Sequence, residues 1–92
     1  MKISNSIELL DWFKSTVDID SDYMTAKLLG LSKQGISNIR NGRNEFSDFH
    51  ALMIANIGQH PDPLKVVAAI EAFKEEKLGN PERAKLWRQY VA

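Results

Sequence analysis

Apolar side chains in this chain recur at helical spacing and nowhere alternate with polar ones over a strand's length, so the pattern predicts helices throughout. Ile7, Leu10, Phe13 and Val17 fall on one face of a first helix, with Leu9 beside them. Asn5 or Ser6 can cap it, and Glu8 stands where a capping box returning to Asn5 would need it. The polar stretch 18–21 breaks the pattern. Ser21 then caps a second helix over 22–29, with Asp22 at its positive dipole end, and Gly30 ends it. Ser32 caps a third helix from Lys33 to about Arg40, ended by Gly42. Ser47 caps a fourth, which offers Leu52, Met53, Ala55 and Ile57 to a core before Gly58 closes it. Residues 59–63 form a hinge-like loop. Asp62-Pro63 and Asn80-Pro81 are both cap-plus-proline starts. The fifth helix carries Val66, Ile70 and Phe73, widened by Val67, and stops at Gly79. The sixth carries Ala84, Trp87 and Val91, with Leu86 and Tyr90 alongside. The expectation is an all-α single domain, 1–92, of five or six helices, with a C-terminal helical pair over about 62–92.

Composition narrows this picture. A chain of 92 residues, 43% of them apolar, can form one core, but a small domain buries a modest share of its surface and gains from a second copy. The absence of cysteine excludes disulfides, thiol catalysis and cysteine–zinc sites. Met1-Lys2-Ile3-Ser4 leads into a polar-faced segment instead of an apolar signal core, and no apolar run could cross a bilayer. A soluble, cytoplasmic protein without a membrane partner is expected.

Net charge is zero, yet it is unevenly laid down. Residues 1–22 hold two bases and five acids. Residues 23–44 hold Lys27, Lys33, Arg40 and Arg43 and no acid. Residues 45–92 hold six bases and seven acids. A surface that meets phosphates needs only a local positive field.

That basic stretch lies within a pattern suited to two short helices crossing steeply at a tight turn, about 22–42. Ala26 is small enough for a close crossing, Gly30 supplies the turn, and Leu29, Leu31, Ile36 and Ile39 can anchor both helices. Gln34, Ser37, Asn38 and Asn41 then share one exposed face of the third helix, with Lys33 at its start. Glutamine and asparagine can bond adenine bidentately, lysine can reach guanine, and serine can donate or accept. Ser32 and the helix N-terminus can hold a phosphate. Solubility alone would favour Glu and Lys over this row of uncharged groups.

From Ala26 through Leu29-Gly30-Leu31-Ser32 to Ile36-Ser37 and Asn41-Gly42-Arg43, the chain resembles the lambda-repressor-like (Cro-like) helix-turn-helix family. The resemblance covers about half the chain. It implies that Lys33, Gln34, Ser37 and Asn38 face the major groove of double-stranded DNA and that Ser32, Asn41 and Arg43 lie near phosphates. More loosely, Ser21-Asp22-Tyr23 through the stretch 81–87 looks like small phage-encoded proteins with this motif. Three positions depart from the family pattern. Thr25 stands where leucine is usual, with Tyr23 or Met24 placed to fill the space. Arg40 stands where glutamate is frequent, so an interhelical ion pair is missing or replaced. Gly35 interrupts the third helix, where it would allow the close approach of a neighbouring backbone.

Other signals fail on their own requirements. Asp18, Asp20 and Asp22 imitate a calcium loop, but Tyr23 holds its glycine position and Leu29 its closing glutamate position. His50 and His60 lie in different elements with no cysteine to help, so no metal is expected. No phosphate loop, nucleophile elbow or catalytic carboxylate pair is recognisable, so no enzyme, cofactor or small-molecule ligand is expected. The expected function is sequence-specific regulation of transcription at an operator by a homodimeric phage or prophage repressor. Val66 to Phe73 pack on the domain, and Leu86, Trp87, Tyr90 and Val91 meet a twofold mate. The alternative is a protein-interaction module on the same fold, an adaptor or antitoxin-like partner, which the zero net charge and the C-terminal extension favour.

Overall fold

A computed structural model describes residues 2–91. Its six helices are α1 (Ser6–Thr16), α2 (Asp22–Leu29), α3 (Lys33–Arg40), α4 (Asp48–Ile57), α5 (Pro63–Lys77) and α6 (Pro81–Arg88), and the described residues form no strand. No helix among them is long and apolar enough to cross a membrane.

Local chemistry fixes where most helices begin. The side-chain oxygens of Asn5, Ser21, Ser32 and Ser47 accept from the backbone N–H three residues on, at 2.9–3.1 Å, and Asp62 does so at 3.4 Å. Asn80 makes no such bond, and Pro81 opens α6 without a side-chain cap. The expected capping box is displaced by one residue. Glu8 Oε1 accepts from Ser4 N–H and Ser4 Oγ, each at 2.7 Å, and not from Asn5. Those bonds hold the Glu8 carboxyl below its usual range.

The core runs through α1, α3, α4 and α5. Leu9, Leu10, Phe13, Ile36, Ile39, Phe46, Ile54, Val66 and Ile70 are buried, and Ala26 and Leu29 of α2 close it on one side. Two expected faces are corrected. The buried stripe of α4 is Ala51, Ile54 and Ala55, while Leu52 and Met53 are half-buried and Ile57 is exposed. This helix is apolar almost all round, so periodicity could not choose its face, and α1 and α5 packing together on the alanine side do. On α1 the buried set is centred on Leu9, Leu10 and Phe13, with Ile7 and Val17 only half-buried.

The loop after α4 is not a free hinge. Gln59 takes a left-handed conformation, φ +58°, and His60 Nδ1 accepts from Asp62 N–H at 3.0 Å. The His60 ring stands edge-on to Trp12 at 5.3 Å. Trp12 in turn lies over Gly58 so closely that a Cβ there would fall 2.5 Å from the indole.

A second buried lock ties the start of α1 to the segment after α3. Ser6 Oγ accepts from Phe46 N–H at 2.8 Å, and Ser6 N–H donates to Glu45 Oε1 at 3.1 Å. Glu45 Oε2 and the carbonyl of Gly42 both accept from Lys77 Nζ, at 3.1 and 3.0 Å. The C-terminal end of α5 therefore rests on the loop that leaves α3.

α5 packs on α4 and α6 packs back on α5. α6 ends at Arg88, before Val91, and only Ala84 of it is fully buried. Between α5 and α6 lies an open groove of about 680 Å³. Leu64, Val67, Leu86, Trp87 and Tyr90 line it.

Candidate nucleic-acid interface

The turn between α2 and α3 is built as the sequence requires. Gly30, at φ +73°, ends α2, with Leu31 N–H donating to the Ala26 carbonyl at 2.8 Å and Gly30 N–H to that of Lys27 at 3.3 Å. Ser32 caps α3 two residues later. Gly35 answers to that cap. A Cβ at position 35 would stand 3.1 Å from Ser32 Oγ, so the expected close approach is to the capping hydroxyl and not to a neighbouring backbone.

Thr25 fills its own place in the core. It is fully buried, its hydroxyl donates to the Ser21 carbonyl at 3.1 Å, and Tyr23 and Met24 remain 47% and 59% exposed. The expectation that one of those two replaces the missing leucine is thus overturned. The hydroxyl of Thr25 is satisfied by the preceding turn, so no larger side chain need reach in.

Arg40 settles the question of the interhelical ion pair. Its guanidinium donates to both carboxylate oxygens of Asp22, at 2.9 and 3.0 Å, and lies 2.8 Å from Asp11 Oδ1. Lys14 Nζ donates to Asp22 as well, at 2.8 Å. The pair is present with its base on α3 and its acids on α1 and α2. Arg40 beside it, outweighing burial, holds the Asp22 carboxyl down at about 2, and the two aspartates push Arg40 further up. Charge joins the three helices at one point.

With Ile36 and Ile39 in the core, the opposite side of α3 faces solvent. Lys33, Gln34, Ser37 and Asn41 are exposed, as is Ser32 before them, and Asn38 is half-buried. Gln34, Ser37, Asn38 and Asn41 are bonded in pairs. Gln34 Nε2 donates to Asn38 Oδ1 at 2.9 Å, Arg43 Nη1 approaches the same oxygen at 3.4 Å, and Asn41 Nδ2 donates to Ser37 Oγ at 3.4 Å. The row is pre-ordered, with the amide N–H groups of Asn38 and the carbonyl oxygen of Gln34 left to meet an outside partner. Gly42, at φ +76°, turns the chain so that Arg43 N–H reaches the Asn38 carbonyl at 2.9 Å, which holds Arg43 beside the row.

The basic residues divide sharply. Of twelve, Lys14, Arg40, Lys65, Lys74, Lys77, Arg83 and Arg88 have carboxylate partners. Lys2, Lys27, Lys33, Arg43 and Lys85 have none among the described residues, and three of these five flank the polar row. The basic stretch therefore presents three charges outward and not the four counted in sequence, because Arg40 is committed inward. Sequence reasoning missed Tyr23 and Lys27. The Tyr23 ring lies 5.1 Å from Lys27 Nζ and 4.8 Å from Lys33 Nζ. The i, i+4 spacing of Tyr23 and Lys27 on α2 was the available signal.

The four expected interface residues near the C-terminus do not form one surface. Leu86, Trp87 and Tyr90 line the α5–α6 groove and are 61%, 36% and 70% exposed. Val91 is half-buried on another side, lining a smaller cavity with Lys2, Ile3 and Ala69. Because α6 stops at Arg88, helical spacing no longer aligns Val91 with Trp87.

No protein-family model matches the chain, and no solved structure does. A protein of Pseudoalteromonas phage PM2, Uncharacterized protein Gp-c, is 61% identical over 92 residues, covering 100% of both chains. The chain belongs to the Gp-c family. Gp-c matches it from end to end, through α5 and α6 as well as the α2–turn–α3 unit, so the C-terminal pair is part of what the two proteins share.

Proposed function

We propose that this member of the Gp-c family is a sequence-specific double-stranded-DNA-binding regulator of phage or prophage transcription that acts as a homodimer. In this reading α2 and α3 are the helix-turn-helix of a lambda-repressor-like fold. Gln34, Ser37 and Asn38 meet base edges in the major groove, while Ser32, Asn41 and Arg43 contact the backbone. The observation that carries the reading is the ordered polar row on α3 with three cations around it that have no carboxylate partner among the described residues. A pre-bonded amide pair keeps its geometry before DNA arrives, which lowers the ordering cost of recognition. The phage origin of Gp-c supports the setting.

The test is selection of duplex fragments by the purified protein, followed by a salt titration on the enriched site. Three cations per subunit predict that log K falls with log salt at a slope of about −5 for a dimer. An enriched palindrome with that slope supports the reading. A flat response, with no enrichment, refutes it. A second reading, a protein-interaction module, draws on the open α5–α6 groove, on which Leu64, Leu86 and Tyr90 are largely exposed. Complex formation that is lost on changing the groove, with α3 variants unaffected, would favour it.

A further inference from the structure

We propose that Lys27 and Lys33 form a clamp for one phosphodiester group of the nucleic-acid backbone, with Tyr23 as the residue that positions both; the proposal rests on the DNA reading above. Tyr23 is nearly half exposed and takes no part in the core. Its ring is shared by two ammonium groups from different helices, Lys27 one turn along α2 and Lys33 at the first residue of α3. By those two distances the ammoniums lie within about 10 Å of each other. Neither has a carboxylate partner among the described residues, and the adjacent Asp22 is already bound to Arg40 and Lys14.

As a stabilising device this arrangement is poor. Two like charges repel across one ring, and exposed ring–cation contacts are weak. A glutamate in place of Tyr23 would serve stability better at the same i, i+4 spacing. As a recognition device it has a clear use. The ring face holds each ammonium in place yet accepts no conventional hydrogen bond from it, so the N–H donors remain free to point outward. A phosphodiester group at the exposed edge of the ring, with one oxygen turned toward each ammonium, would relieve their repulsion and take a donor from each. The clamp assigns Lys33 to the backbone and leaves base reading to Gln34, Ser37 and Asn38.

The experiment compares wild type with Tyr23→Phe, Tyr23→Leu, Lys27→Ala and Lys33→Ala on the selected duplex across a salt series. It also records the lysine ε-methylene proton shifts of the free protein. Lys27→Ala and Lys33→Ala should each make the salt slope of the homodimer shallower by roughly two, about one per subunit, with base preference unchanged. Tyr23→Leu should weaken binding about five-fold without altering preference, and Tyr23→Phe should bind as wild type. Upfield ring-current shifts on Lys27 and Lys33 should persist in Tyr23→Phe and vanish in Tyr23→Leu. Wild-type binding by Tyr23→Leu overturns the clamp, as does a loss in Tyr23→Phe equal to that in Tyr23→Leu. Relaxed discrimination at a single base pair in Lys33→Ala returns that residue to base reading and overturns it too. If the wild type binds no duplex while its ring-current shifts are intact, the DNA reading itself fails and the clamp loses its ligand. Absent shifts with normal DNA binding remove the clamp alone.

Discussion

Replacing Asp22 by asparagine removes the charge at the junction of α1, α2 and α3 while keeping the side chain's size. The carboxyl is held at about 2 in the folded protein, chiefly by the two hydrogen bonds from Arg40. In the unfolded chain it returns to about 3.9. A depression of nearly two units corresponds to an upper bound of about 2.6 kcal/mol at neutral pH. The Asp22 side chain is partly open to solvent, and Arg40 keeps Asp11 as a second partner, so screening brings the expected loss to about 1–2 kcal/mol. For a domain of this size that is a fall in Tm of roughly 5–10 °C. Because the folded pKa is depressed, the stabilisation is present in full above the unfolded value and fades as pH falls from about 4 to about 2. Urea unfolding of wild type and Asp22→Asn at pH 7, 4 and 2.5 reads the difference directly, and the titration of other carboxylates cancels between the two proteins. The reasoning fails if the gap at pH 7 is below about 0.5 kcal/mol, or if it is as wide at pH 2.5 as at pH 7.

Gln34→Ala and Asn38→Ala should each cost ~1–3 kcal/mol against the preferred site and relax specificity there; competition with mutated sites checks this, and unchanged discrimination in both removes the amide pair from the readout. Gly58→Ala forces a methyl group to within 2.5 Å of the Trp12 ring, so thermal unfolding should show a loss of about 1–3 kcal/mol. A neutral Gly58→Ala would contradict that packing. On the exposed side of α6, Leu86→Glu should abolish dimers in sedimentation velocity at micromolar concentration while leaving Tm within a few degrees. A wild type that stays monomeric with and without its duplex takes α6 out of any twofold contact.

What was legible in the sequence was mostly local. The starts of α1 to α5 were written in Asn5, Ser21, Ser32, Ser47 and Asp62, because a cap acts within a single turn. The exposed row on α3 was legible for the same reason, since Ile36 and Ile39 alone decide which side faces out. The inner face of α4 was not, because a segment apolar all round takes its orientation from its neighbours. Arg40 could be seen to break a pattern, but its partners lie on other helices, and Asp22 stands eighteen residues away. The sharing of Tyr23 by two lysines needed the α2–α3 crossing itself, since Lys33 reaches the ring only after the turn has folded back. Helical spacing carried past the end of α6 put Val91 on the wrong surface.

The bonds from Ser6 to Glu45 and Phe46 also turn a linear chain into a ring. Between them lie some forty residues, and drawing their ends together costs of the order of 3 kcal/mol in entropy, before any constant term. On the ribosome the knot cannot be tied until position 46 has emerged, whereas α5 and α6, joined by a short turn, can pair as soon as they are made. The segment that leaves α3 is therefore anchored only when two distant stretches of backbone have met. Trimming the chain through Ser6 would leave that ring open even though every residue that touches DNA in the proposed reading is still present.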